Sequence, residues 1–152
     1  MTSQNPSSTT GQVEYFRPKG LHHNPAFSNV AVVSGNVRTV YVGGQDAVDA
    51  EGNVVGVGDL AAQTEQVLHN LKVALTAAGA GPEHVVKWNI LLVDGQDFAS
   101  GYAVFQQEWG DRSNPPVITA AVVAGLAHPD FLVEIDAIAV VPAPTQDTPN
   151  AT

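Results

Sequence analysis

The apolar and polar positions of this chain form short alternating runs interrupted by two longer helical stripes. Val13-Glu14-Tyr15-Phe16 reads as a short strand, stopped by Pro18-Lys19-Gly20. Ala31-Val32-Val33 and Thr39-Val40-Tyr41-Val42 read as two further strands around the polar turn Ser34-Gly35-Asn36. Gly43-Gly44 follows the second, and two residues without side chains predict a bulge or a close approach of the backbone to a ligand. Asp49-Ala50-Glu51-Gly52-Asn53 reads as a turn. The period then changes. From Asp59 to Ala78, Leu60, Thr64, Val67, Leu68, Leu71, Ala74, Leu75 and Ala78 recur at helical spacing, while Gln63, Glu65, Gln66, Asn70 and Lys72 fall mostly elsewhere. Asp59 is a natural N-cap and Gly79 a natural stop. Such a helix is about 30 Å long, enough to cross a sheet. Pro82-Glu83-His84 leads into a strand over Val85–Val93, Asp97 to Trp109 is a second helix ended by Gly110, and Val117–Val123 and Leu132–Val141 are the last strands.

Strands, helix, strand, helix, strands is an order in which both helices bury their stripes on one face of a single mixed sheet. That is an α+β, two-layer domain. The last strand, Val133-Glu134-Ile135-Asp136-Ala137-Ile138-Ala139-Val140, carries the most chemical information. Side chains alternate, so Val133, Ile135, Ala137 and Ala139 share one face and Glu134 and Asp136 the other. Ile138 and Val140 continue the acidic face, which predicts that it is partly covered. A half-dry carboxylate has a disturbed proton affinity and is a candidate general base or water-positioning acid. The competing reading is an edge or interface carboxylate paired with a base.

Composition narrows the classes. The 152 residues form one domain, with 44% hydrophobic and 14% charged residues. Residues 1–12 and 142–152 have the composition of flexible arms, leaving a folded unit over 13–141. No apolar run approaches the ~18 residues of a membrane span, and no secretory signal is visible. The absence of cysteine removes disulfides, thiolate metal sites and a cysteine nucleophile, and fits a cytoplasmic protein. Fifteen acids against six bases give a net charge of -9. The bases (Arg17, Lys19, Arg38, Lys72, Lys87 and Arg112) form no patch, which argues against nucleic acid and membrane surfaces as partners. There is no phosphate loop and no Gly-x-Ser-x-Gly elbow. His22, His23, His69, His84 and His128 show no metal-ligand spacing, so no metal is expected. Trp88, within a strand, and Tyr102, on the second helix, fit either core and interface positions or a ligand platform.

From Phe27 onward the chain resembles the RidA (YjgF/YER-type, reactive intermediate deaminase) family. The blocks that carry the resemblance are Phe27-Ser28, Tyr41-Val42-Gly43-Gly44-Gln45 and Gly58-Asp59-Leu60-Ala61-Ala62-Gln63-Thr64. Asn70-Leu71-Lys72, Ala77-Ala78-Gly79-Ala80, Val85-Val86-Lys87, Asp97-Phe98-Ala99 and Val133 through Val140 follow in order. The resemblance implies a chorismate-mutase-like fold and a homotrimer whose sheets form a central barrel, with ligand clefts between subunits. It also implies cofactor-free hydrolysis of imines or enamines of small amino acids.

The family's chemistry carries over in part. A Pro-x-Arg-Ser/Thr motif in deaminating members sets an arginine against the substrate carboxylate, a task suited to a bidentate guanidinium. Here the matching stretch is Pro116-Val117-Ile118-Thr119, once a one-residue gap is placed between Leu126 and Asp130. Thr119 fits, and Ile118 stands where the arginine belongs. The family's helix asparagine aligns with Tyr102 and its loop tyrosine with Phe27, while the water-positioning glutamate is retained as Glu134. The implied site is thus Glu134 as the catalytic residue, with Phe27, Ser28, Gly44, Trp88, Tyr102, Ile118, Thr119 and Ala120 around a small-molecule ligand. Losing a charge-assisted contact costs about 1.5–3 kcal/mol, so the usual amino-acid imines are expected to be poor substrates unless Arg17 or Arg112 replaces the cation. The more apolar, aromatic cleft points to a larger or less charged ligand. A 2-aminomuconate-deaminase-like enzyme of aromatic degradation is a second reading, and a non-catalytic metabolite- or protein-binding trimer a third. An endoribonuclease role, sometimes attached to this family, is disfavoured by the charge.

Overall fold

The computed structural model describes residues 9–109 and 112–143. The helix stop expected at Gly110, residues 1–8 of the N-terminal arm and residues 144–152 of the tail lie outside the described residues. The elements are β1 (Gln12–Phe16), β2 (Val30–Ser34), β3 (Val37–Gln45), α1 (Leu60–Ala77), β4 (Val85–Val93), α2 (Phe98–Trp109), β5 (Val117–Val123) and β6 (Val133–Pro142). A short 3-10 turn, Pro82–His84, leads into β4. The last part of the expected arm is held in the fold: Thr10 bridges Asn36, and Gln12 opens β1.

β3, β6, β4 and β5 form one four-stranded sheet in that order. β6 runs antiparallel to both β3 and β4, whereas β4 and β5 are parallel. A parallel pair needs a crossover, and α2 supplies it. β1 and β2 pair as a separate antiparallel ribbon. The turn at 34–36 therefore passes the chain from one sheet to the other. The ribbon is fastened to the edge strand β5 through Ser28, which bridges Val117. This is the α+β two-layer arrangement expected from the sequence.

α1 forms where its signals fall. The Asp59 side chain accepts a hydrogen bond from the Ala62 N–H at 3.0 Å. At the other end Gly79 takes φ +69°, a conformation that costs a β-carbon dearly, and Ala80 N–H closes back on the Leu75 carbonyl. Arg38 donates to the Ala78 and Gly79 carbonyls. The helix sets Leu60, Val67, Leu68, Leu71 and Leu75 against Val133, Ile135, Ala137 and Ala139 of β6. Gln63, counted among the outward positions from the sequence, is fully buried. Its amide donates to the carbonyls of Gly56 and Asp130 and accepts from Leu132 N–H, so it ties two loops to the helix. A polar side chain with every bond satisfied is a core residue by another route.

Candidate functional site

A cavity of about 480 Å³ opens between α2 and the sheet. Its walls repeat the periods of their elements. α2 contributes Phe98, Gly101, Tyr102 and Phe105 at helical spacing. The sheet contributes Ile90 of β4, Ile118 and Ala120 of β5, and Val133 and Ile135 of β6, every second residue of each strand. Phe27 closes one side and Thr64 the floor. Gly101 permits the cavity by letting α2 approach α1: an added β-carbon there would lie 3.1 Å from Leu60 and 3.2 Å from the Thr64 hydroxyl.

Four of the expected ligand residues, Phe27, Tyr102, Ile118 and Ala120, line this cavity. Trp88 does not. It is 2% exposed and packs edge-on against Phe105, centroids 5.9 Å apart, so the ring belongs to the core. Ser28 is also diverted. Its hydroxyl donates to the Pro115 carbonyl at 2.6 Å, its N–H donates to the Pro116 carbonyl, and it is 2% exposed. Ser28 fixes the position of Phe27 rather than facing a ligand itself.

Glu134, Gly44 and Thr119 lie on the opposite face of the sheet. Val133 and Ile135 point into the cavity, so Glu134 between them points away. Thr119 likewise alternates with Ile118 and Ala120 and stands in register with Asn89, whose amide donates to Asp136 at 2.9 Å. Asp136 is thereby occupied within its own sheet. Glu134 lies over Gly44, at the register shift between Val42 and Gln45. A β-carbon at Gly44 would fall 2.8 Å from Glu134 Cδ and closer still to Oε1. The pair of glycines thus makes a bulge, and what approaches the bare backbone is this carboxylate.

Next to Glu134 is Asp46, which sequence reasoning passed over. Its side-chain carboxyl reaches Glu134, and its affinity for a proton is pushed up to about 6 by burial first and by the neighbouring Glu134 second. Asn70 on α1 donates to the carbonyls of Asp46 and Val48 and holds this loop in place. Alternation cannot be read through a bulge, and this is why Asp46 gave no signal. On α2 the sequence pointed to Tyr102 as a ligand residue but not to Phe98, Gly101 and Phe105, which line the cavity with it.

The two arginines proposed as replacements separate. Arg112 donates to the Pro82 carbonyl and lies near Glu83 and Tyr15, and burial lowers its proton affinity. Arg17 donates through Nε to the Phe27 carbonyl, beside a cavity wall. Among the described residues no cluster of three or more metal-binding side chains is present, and no helix is long and apolar enough to cross a membrane.

Comparison with known proteins places these features in a family. The model of the family described as Endoribonuclease L-PSP matches residues 20–141. A RutC family protein of Synechocystis is 39% identical over 104 residues, covering 68% of this chain and 78% of that protein. The human 2-iminobutanoate/2-iminopropanoate deaminase is 34% identical over 103 residues, covering 68% and 73%. Among solved structures, a protein of unknown function of the conserved Rid family from Yersinia pestis superposes with a TM-score of 0.73 at 32% identity, covering 85% of this chain and 98% of that one. With the matched segment running through both helices, the cavity walls and the Glu134 strand, the chain belongs to the Endoribonuclease L-PSP family, whose solved relatives carry the Rid and YjgF names.

Proposed function

We propose that this protein is a homotrimeric, cofactor-free hydrolase of the imine/enamine deaminase type, working on a metabolite bulkier and more apolar than the usual amino-acid-derived imines. The observation that carries this reading is the apolar cavity with Ile118 in its wall. No guanidinium stands at that position to hold a small substrate's carboxylate, and aromatic and aliphatic surface stands there instead. The relatives named as 2-iminobutanoate/2-iminopropanoate deaminases support the reaction class.

The chemistry requires a water beside the C=N carbon. Glu134 accepts a proton as the water oxygen bonds to carbon, the nitrogen takes up a proton, and the carbinolamine collapses to carbonyl compound and ammonia. Glu134 and the cavity lie on opposite faces of one sheet, so a single chain does not bring them together. A neighbouring copy supplying Glu134 to this cavity would complete the cleft. The exposed sheet face supports that arrangement: Tyr41 is 76% exposed and in register with Ile138 on the Glu134 side. Arg17, bonded to the Phe27 carbonyl, is a cation beside the cavity wall and would meet an acidic group there.

The test is hydrolysis of imines generated in situ by an amino-acid oxidase, with spontaneous decay subtracted. Imines from phenylalanine or leucine should turn over at least 10-fold faster than that from alanine. A preference for the alanine-derived imine would overturn the substrate reading. Loss of turnover in Glu134→Gln with the oligomer intact supports catalysis. Full retention in that variant would remove Glu134 from the chemistry, and a wild type that turns over none of these imines would leave the binding-protein reading in its place.

A further inference from the structure

Asp46 follows β3 directly and Glu134 is the second residue of β6; their carboxyl groups meet beside Gly44, which leaves room for Glu134. Asp46 Oδ1 is buried, and no donor of the described residues reaches it. The titratable group facing Asp46 is Glu134, and from α1 the facing residue is the neutral Asn70, which bonds the Asp46 backbone. Among the described residues no cation forms an ion pair with either carboxylate. Two carboxylates in contact repel, but if one carries a proton the same geometry becomes a strong O–H to O⁻ hydrogen bond.

We propose that Asp46 is a positioning residue for Glu134: as a carboxylic acid it donates a hydrogen bond to the Glu134 carboxylate and fixes it over Gly44. This rests on Glu134 being the working carboxylate of the proposed reaction. Burial and the neighbouring charge together keep the proton on Asp46, so the pair is closed under mildly acidic conditions and opens as Asp46 ionises. Glu134 then loses its tether and gains a like-charged neighbour. Asparagine at position 46 has the shape of the acid and an N–H₂ donor that no pH in the working range removes.

The experiment has two independent readouts. Carboxyl carbon NMR of selectively labelled protein follows the titration of Asp46 directly and needs no substrate. Its midpoint should lie near 6 in the wild type and fall part of the way toward the ordinary aspartate range in Glu134→Gln, where burial still acts. A midpoint that stays put in Glu134→Gln, or one already ordinary in the wild type, overturns the pairing. The second readout is turnover of the phenylalanine-derived imine between pH 5 and 7.5. Wild-type kcat should decline as pH rises through about 6. Asp46→Asn should give a flat profile within about 3-fold of the wild-type maximum, and Asp46→Ala a flat profile about 10-fold lower. Equal losses in Asn and Ala would assign Asp46 a merely structural part. A protein that shows the coupled titration but hydrolyses no imine would overturn the enzymatic reading and leave the Asp46–Glu134 pair standing.

Discussion

At the scale of single residues, the bare backbone at Gly44 determines what the site can do. Glu134 is a long, flexible side chain, so a methyl group at position 44 would push its carboxylate aside without breaking the strand. Gly44→Ala should therefore fold, with a Tm within a few degrees of the wild type, and lose at least 10-fold in imine turnover. Unchanged turnover would show that the location of Glu134 over the bulge is incidental. The sequence made Gly44 and Glu134 visible separately, one as a bulge residue and one as an acid in an apolar strand. Their contact was not visible, because it joins residues ninety positions apart. Ser28 and Trp88 show the converse. Both were expected to line the ligand cleft, yet a hydroxyl beside a free backbone carbonyl and a large ring at the helix–sheet interface are consumed by packing. Proximity to a site in sequence says little about which way a side chain turns.

At the scale of elements, the helices and strands were legible because burial imposes periods of 3.6 and 2 on apolar residues, and both periods persist here over long segments. The expected strand Val85–Val93 and strand Val117–Val123 have those limits in the structure. The position that broke the pattern is Gln63, since hydropathy counts an amide as outward and ignores the loops that need its bonds. Its burial yields a sharp expectation. Gln63→Leu keeps the volume but leaves the Leu132 N–H and the carbonyls of Gly56 and Asp130 without that partner. At ~1–3 kcal/mol for a stranded buried group, partly relieved by water at the loops, the loss should come to about 2–4 kcal/mol. Urea denaturation measures it; a change below about 0.5 kcal/mol would mean the loops satisfy themselves. The loop from Asp130 to Leu132 leads directly into Val133 and Glu134, so the variant should also loosen the site's strand. Increased amide hydrogen exchange over 130–135 checks that coupling.

At the scale of the whole molecule, a net charge of -9 bears on both assembly and stability. The sheet face that carries Tyr41, Asp136 and Glu134 needs a cover that the chain's own helices, on the other side, do not provide. Tyr41→Glu adds a charge on the edge strand β3 of that face and should convert the proposed trimer into monomers by analytical ultracentrifugation, with the helical signal retained. Survival of the trimer would locate the interface elsewhere.

The same face governs how stability responds to pH. Asp46 binds its proton more tightly in the folded protein, where burial and Glu134 push it up to about 6, than in the unfolded chain, at the ordinary 3.8. Between those values the folded state holds the extra proton, so stability falls as pH rises. The contribution is complete below about 4 and gone above about 6. Asp49 acts in the opposite sense, because hydrogen bonds from Asn53, Glu51 and Gly52 lower its proton affinity, and its contribution fades only as pH drops below 4. The two windows do not overlap. Discounted for its half-open setting, the Asp46 effect is on the order of 1 kcal/mol, or roughly 2–4 °C in Tm for a chain of this size. Asp46→Asn should match the wild type near pH 4.5 and exceed it by that amount at pH 7.5. A gap that is constant across the range would mean that Asp46 ionises equally easily folded and unfolded. A gap that opens with pH would mean that the fold keeps beside Glu134, at a cost in stability, an acid that ionises within the working range.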